Sequence, residues 1–128
     1  MNRATPNDLF LNGERLAAEF LERNGYLILE RNYRKRCGEI DIIASRDGYI
    51  IFVEVKTRSH HSMSDVLANI SYTKRKRITN TAILYLNQNP ESGNLIVRFD
   101  VIIVFYYSGD DTYSIKHLSD AFLPVVEA

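Results

Sequence analysis

Three carboxylates and an ammonium stand among isoleucines, valines and a phenylalanine in "GEIDIIASRDGYIIFVEVKTRS", the stretch from Gly38 to Ser59: Glu39, Asp41, Glu54 and Lys56. Side chains alternate along an extended chain, so Ile50, Phe52, Glu54 and Lys56 share one face and Ile51, Val53 and Val55 the other. Both faces are therefore largely apolar. Such a strand is covered on both sides and leaves no solvated face on which Glu54 and Lys56 could be decoration. Buried charges need partners. Glu54 and Lys56 partly compensate each other, but Asp41 on the neighbouring strand adds a second negative charge. A divalent cation removes that conflict, since Mg²⁺ is commonly held by one or two carboxylates together with waters and phosphate oxygens. The set suits phosphodiester hydrolysis, in which a metal polarises the phosphoryl oxygen, generates hydroxide and stabilises the leaving oxygen. An ammonium two residues along the same face stabilises developing charge or orients the attacking water. The competing account is an ordinary hairpin with a surface ion pair, and spacing alone leaves both open.

The charge distribution points the same way. The 128-residue chain has a formal net charge of zero, yet residues 1–77 carry 14 Lys+Arg against 10 Asp+Glu, while residues 78–128 carry 2 against 6. Two runs concentrate the basic charge, "RNYRKR" at Arg31 to Arg36 and "KRKR" at Lys74 to Arg77. Clustered cations are the footprint of a polyanion partner, although each run taken alone favours a merely solvated face. His60 and His61 could contact substrate or a metal, but with no third ligand at metal spacing they read better as part of a polar loop. Tyr106 and Tyr107 could form a protein-interaction patch, but half-buried sheet residues account for them more simply.

Length and composition set the frame. The size is that of one domain, 1–128, with 45% hydrophobic and 25% charged residues and no repeat. No apolar run approaches a membrane helix, and "MNRATPNDLF" lacks the apolar core of a secretion signal. The single cysteine, Cys37, excludes an internal disulfide and fits a reducing, cytoplasmic setting, where a lone Cys is usually a small hydrophobe. Neither the sequence nor its charge pattern fixes the oligomeric state, so a homodimer stays open.

The elements that must position these residues follow from the spacing. "NGERLAAEFLERNGY" predicts a helix with Asn12 as N-cap and Gly25 as stop; Arg15, Glu19 and Arg23 lie on its solvent side and Glu14 looks inward or to the rim. "YLILERNYR", "GEIDIIAS" and "YIIFVEVKTR" read as strands, the last two joined by a turn at "RDG". "SHHSMSDVLANIS" reads as a loop with a short turn around Val66 to Ile70. "YTKRKRITNTAILYLNQN" reads as a helix with the stripe Ile78, Ala82, Tyr85 and Leu86. "LIVRFDVIIVFYY" is a fourth strand, "GDDTYSIKHL" a hairpin into a short fifth, and "SDAFLP" a last helical turn capped by Ser119. A helix between strands three and four makes those strands parallel.

Asp41 with Glu54, Val55 and Lys56 gives "D…EVK", which resembles the PD-(D/E)XK motif of restriction-endonuclease-like nucleases. The chain is more closely similar to the YraN family of small bacterial proteins, itself compared with Holliday-junction resolvases: "GERLAAEFLERNGYLILERNYR", "GEIDIIA", "FVEVKTR", Lys74, "RFDVIIV" and "HLSDAF" occur in the family's order over nearly the whole chain. The resemblance implies an α/β fold with a restriction-endonuclease-like αβββαβ core, a mixed central sheet flanked by helices. It implies catalytic roles for Asp41, Glu54 and Lys56 and a Mg²⁺ or Mn²⁺ site made by Glu14, Asp41, Glu54 and Val55. Lys74 matches a family lysine that would meet phosphate and Arg58 the basic end of "KTR", while the two basic runs add Arg34, Lys35, Arg36 and Lys76 as expected phosphate contacts. Glu39, two residues before Asp41, is shared with the family without an assigned metal role. The function implied is metal-dependent endonuclease action on DNA, in preference to RNA, at branched or damaged structures. The alternative is an inactive nucleic-acid-binding module that holds backbone phosphates in the same cleft.

Overall fold

The computed structural model describes residues 6–59, 70–107 and 112–126, with side chains of the first helix from Asn12 onward. Residues 60–69, with His60 and His61 and most of the turn expected around Val66 to Ile70, and residues 108–111 lie outside the described residues. Helix α1 (Pro6–Arg23) precedes strands β1 (Leu27–Lys35), β2 (Gly38–Arg46) and β3 (Tyr49–Ser59). Helix α2 (Tyr72–Gln88), a 3₁₀ turn (Pro90–Asn94) and strands β4 (Ile96–Tyr107) and β5 (Thr112–Leu118) complete the order. The five strands form one sheet in the order β1-β2-β3-β4-β5, antiparallel except for the parallel pair β3–β4. This is the mixed, helix-flanked sheet of a restriction-endonuclease-like core.

The α1 start differs from the sequence expectation. Helix α1 spans Pro6–Arg23, so Asn12 lies inside the helix rather than capping it. Gly13 is then an interior glycine with a packing reason: a Cβ there would overlap the Thr57 hydroxyl on β3. The missing side chain lets α1 approach the site strand closely and brings Glu14 to bear on it. Gly13→Ala should cost about 1–3 kcal/mol through forced repacking, read as a lower urea midpoint. Gly25, at φ 85°, ends the helix as expected, with the Tyr26 amide on the Leu21 carbonyl.

Two apolar layers sandwich the sheet. On one side α1 supplies Ala17, Ala18 and Leu21 to a core with Ile42, Ala44, Ile51, Val53, Val55, Ile102 and Val104. On the other α2 supplies Ile78, Ala82 and Tyr85 to a core with Ile43, Ile50, Phe52 and Phe99. Alternation thus puts the Ile50–Phe52–Glu54–Lys56 row of β3 under α2. The β2–β3 turn has two residues, Asp47 and Gly48, both at positive φ, which matches the twist of antiparallel strands.

The helical turn expected at "SDAFLP" is absent, and Ser119 caps nothing. The chain instead turns at Asp120 (φ 54°), whose amide donates to Asp100 Oδ1 at 3.0 Å, and the Ala121 amide donates to the Phe99 carbonyl at 2.8 Å. Phe122 stacks on Phe99 at 5.3 Å, and further on the Val125 amide reaches the Thr79 hydroxyl. Ties to β4 and α2 overrule a weak local helix signal.

Candidate active site

The pairing of β2 with β3 stops at Ile42–Val53, one step before Asp41 and Glu54 would face each other. Asp41 takes over where the ladder ends: its Oδ2 accepts from the Val55 amide at 2.7 Å. The N–H and C=O of one strand residue point to the same edge, so the Val55 carbonyl also faces the gap that β2 leaves. Across β1, Asn32 sits at φ 51° between the pairs Arg31–Ile42 and Tyr33–Ile40. Strict alternation breaks there, since Ile40 and Ile43 both enter the α2-side core while Ile42 enters the α1-side core. Asp41 sits at that break.

Burial makes the acids unusual. Glu14 is 2% exposed, Asp41 5%, Glu54 9% and Lys56 5%. The carboxyl of Asp41 is pushed up to about 8, first by loss of water and then by the charges of Glu54 and Glu14, against the Val55 amide. Burial also raises Glu14, while hydrogen bonds from Asp41 and Asn32 favour its charged form. A side-chain hydrogen bond between the two acids pushes Asp41 up and Glu14 down, so they titrate as a pair. Glu14 Oε1 remains buried without a hydrogen-bond partner. Lys56 is lowered, chiefly by burial and by the charge of Lys74, with Glu54 and Asp41 opposing.

Glu54 is turned toward α2, where Lys74 Nζ lies 2.5 Å from its Oε1. Asp41 and Glu14 thus meet each other, Glu54 lies within their electrostatic reach, and its carboxylate is committed to Lys74. Among the described residues no three His, Cys, Asp or Glu side chains already surround a common point. The donor set nevertheless suits a hard divalent cation: an unpartnered buried carboxylate oxygen, two mutually repelling acids and a main-chain carbonyl at the ladder's end.

Of the residues expected to meet phosphate, Lys74 lines a cavity of about 410 Å³ together with Gly38, Glu39, Glu54, Ser71 and Arg77. The hairpin turn Arg36–Cys37 projects beside it, with Arg34, Lys35 and Arg36 exposed. Arg34 pairs with Glu39 at 3.2 Å, and the Lys35 ammonium lies 5.0 Å from the Tyr33 ring centre. Lys74 and Lys76 are half-buried on the first turns of α2, which Ser71 caps by accepting the Lys74 amide. Arg58 is half-buried and donates to the Thr57 carbonyl. Cys37 is half-buried with its sulfur 3.4 Å from the Thr81 hydroxyl.

One polar cluster was not anticipated. Asp100 is fully buried on β4 and takes both 2.8 Å hydrogen bonds of a bidentate Arg98, a 2.7 Å contact from His117 Nε2 and the Asp120 amide. Burial would raise its carboxyl, but His117, Arg98 and the amide hold it below the usual range. Arg98 also donates to the Tyr26 hydroxyl. The cluster ties Tyr26, just before β1, to β4, β5 and the tail. Its signal was present in "RFD", whose arginine and aspartate alternate onto one face as Glu54 and Lys56 do.

Comparison with known proteins adds the lineage. The family model described as "Uncharacterised protein family UPF0102" matches residues 13–104. The chain belongs to the UPF0102 family. A UPF0102 protein of Clostridium botulinum (strain Loch Maree / Type A3) is 40% identical over 110 residues, covering 86% of this chain and 89% of that protein. A UPF0102 protein of Clostridium perfringens (strain 13 / Type A) is 41% identical over the same length and shares. UPF0102 is the YraN family to which the sequence motifs pointed. The segment that defines this UPF0102 chain runs from Gly13, at the contact of α1 with β3, to Val104 on β4, and so takes in Glu14, Asp41, Glu54, Lys56 and Lys74. No helix among its described residues is long and apolar enough to cross a membrane.

Proposed function

We propose that this UPF0102 chain is a metal-dependent endonuclease-like hydrolase of DNA phosphodiester bonds. The observation that carries the proposal is the buried Glu14–Asp41 carboxyl pair set beside Glu54 and Lys56 where β2 leaves β3. A structural role alone gives no reason to bury three acids and a lysine together, because replacing such charges by apolar groups is often neutral or stabilising. Glu14, Asp41, Glu54 and the Val55 carbonyl would hold a Mg²⁺ or Mn²⁺ ion. When bound, that ion would polarise the phosphoryl oxygen and lower the pKa of its water. Lys56, on the same face as Glu54, would stabilise the charge that develops on the phosphoryl oxygens. The basic hairpin and the start of α2 would hold backbone phosphates without reading bases.

A second reading, an inactive nucleic-acid-binding module, is favoured by one observation: Glu54 is neutralised by Lys74 rather than gathered with Glu14 and Asp41. Linear, nicked, flapped and four-way DNA, plus RNA, each with Mg²⁺, Mn²⁺ or EDTA, separate the two. Metal-dependent cleavage by the wild type and its loss in Glu54→Ala are expected; binding without cleavage on every substrate would select the module. Both readings share a further expectation. Lys35→Ala with Arg36→Ala should reduce the log–log salt slope of DNA binding by about one to two units, each phosphate contact releasing counterions. An unchanged slope would return the hairpin tip to surface decoration.

A further inference from the structure

The Glu54–Lys74 pair is placed oddly for a stabilising ion pair. Lys74 lies in the first turn of α2, the end of a helix where a cation is disfavoured by the peptide dipoles, and that turn contains no acidic residue to hold it. Among the described residues, the carboxylate that holds it is Glu54, at 2.5 Å. The two partners are unequal: the Glu54 side chain is 9% exposed and fixed on a central strand, whereas that of Lys74 is 43% exposed on a flexible stem. Lys74 also works against the neighbouring Lys56, whose charged form it disfavours. Beyond the pair opens the cavity shared with Ser71, Thr73 and Arg77, two hydroxyls and a guanidinium into which the ammonium can swing without disturbing the core.

We propose that Lys74 is a counter-ion switch: it neutralises Glu54 while the metal site is empty, and passes to a backbone phosphate in the adjoining cavity when Glu54 takes a divalent cation. The switch rests on the metal role proposed for Glu54. It has a thermodynamic consequence. Lys74 competes with metal for one carboxylate and, once displaced, adds a cation to the phosphate subsite, so metal and nucleic acid each tighten the other's binding by the same factor. The residue is a positioning residue that links the two ligands, and Arg77, exposed on the next turn, is the group it joins.

The test uses the full, metal-stripped chain and binding alone. Mn²⁺ is titrated by calorimetry into the wild type, Lys74→Met and Glu54→Gln, with circular dichroism confirming that each is folded; a half-exposed Lys74 tolerates the change. Lys74→Met is expected to bind Mn²⁺ about tenfold more tightly, the scale of one charge interaction. In parallel, a DNA duplex of arbitrary sequence is titrated by fluorescence anisotropy in Ca²⁺ and in EDTA. Ca²⁺ should strengthen wild-type binding about tenfold more than it strengthens that of Lys74→Met, which keeps only the cation's own contact with phosphate; an equal gain in both would overturn the switch. Equal Mn²⁺ affinity in wild type and Lys74→Met, with none in Glu54→Gln, would overturn the switch while keeping the metal role of Glu54. Undiminished Mn²⁺ binding in Glu54→Gln would overturn it by removing the shared group. Absence of Mn²⁺ binding in all three would sink the switch together with the metal role.

Discussion

Replacing Lys56 with methionine should lower metal-dependent cleavage about 10²- to 10³-fold, the usual cost of removing one preorganised stabiliser of transition-state charge. The melting temperature should stay the same or rise. Lys56 is 5% exposed and burial works against its charged form, so a methionine of similar length fills the same space without an ammonium to desolvate. Lys56→Ala should lose the same activity but also some stability, because it leaves a cavity where the stem had packed. Nucleic-acid binding should persist in both, since the exposed basic groups lie on the hairpin and α2. Initial rates at saturating DNA, beside thermal melts of the same preparations, make the comparison. Cleavage at equal rates by wild type and both variants would mean that the activity came from a contaminating nuclease. Parallel loss of activity and of melting temperature in Lys56→Met would make Lys56 a structural residue.

Much of this arrangement was legible because it follows from period-two alternation. Glu54 and Lys56 could be put on one buried face from "YIIFVEVKTR" alone, and the order of elements is enough to make β3 and β4 parallel. The apolar neighbours of Glu14 at helical spacing left it facing inward or at the rim, and at 2% exposed it faces inward. Other features depended on tertiary contacts that no local pattern encodes. Gly13 has its place inside α1 because Thr57 is opposite it, not because a helix starts there. The tail after β5 had a local helix signal, yet the amides of Asp120 and Ala121 are taken by Asp100 and Phe99 across the sheet. The orientation of Glu54 toward Lys74 was also out of reach: strand alternation gives its face, whereas its partner depends on where the start of α2 docks. The Arg98–Asp100 pair obeys the same alternation rule as Glu54 and Lys56, and its significance emerged only when His117 and the tail closed over it.

Asp41→Asn should make the metal-free protein more stable near pH 8 and leave it close to the wild type near pH 4. The sign follows from the raised carboxyl of Asp41. Its folded value is about 8, against about 3.9 for an unfolded aspartate. Between those two values the folded chain binds a proton that the unfolded chain has released, so wild-type stability falls as pH rises, by about 1.4 kcal/mol per pH unit for a full proton. The Asn side chain keeps an acceptor for the Val55 amide, adds no charge beside Glu54 and has no proton to lose. Glu14, also raised, contributes in the same direction, and its contact with Asp41 makes the pair non-additive; Glu14→Gln combined with Asp41→Asn should therefore gain less than the two separate gains together. Asp100 acts at the other end of the scale, because its lowered carboxyl protects stability above the ordinary aspartate range and loses that effect only in stronger acid. Urea melts of wild type and variant at pH 4, 6 and 8 in EDTA should give curves that diverge steadily toward pH 8. Added Mg²⁺ at pH 8 should then restore the wild type, by about 2.7 kcal/mol at a hundred times its dissociation constant, and do far less for Asp41→Asn. Parallel stability curves for the two proteins across that pH range would show that Asp41 is not held protonated by its buried neighbours, and equal Mg²⁺ stabilisation of both would remove Asp41 from the metal site.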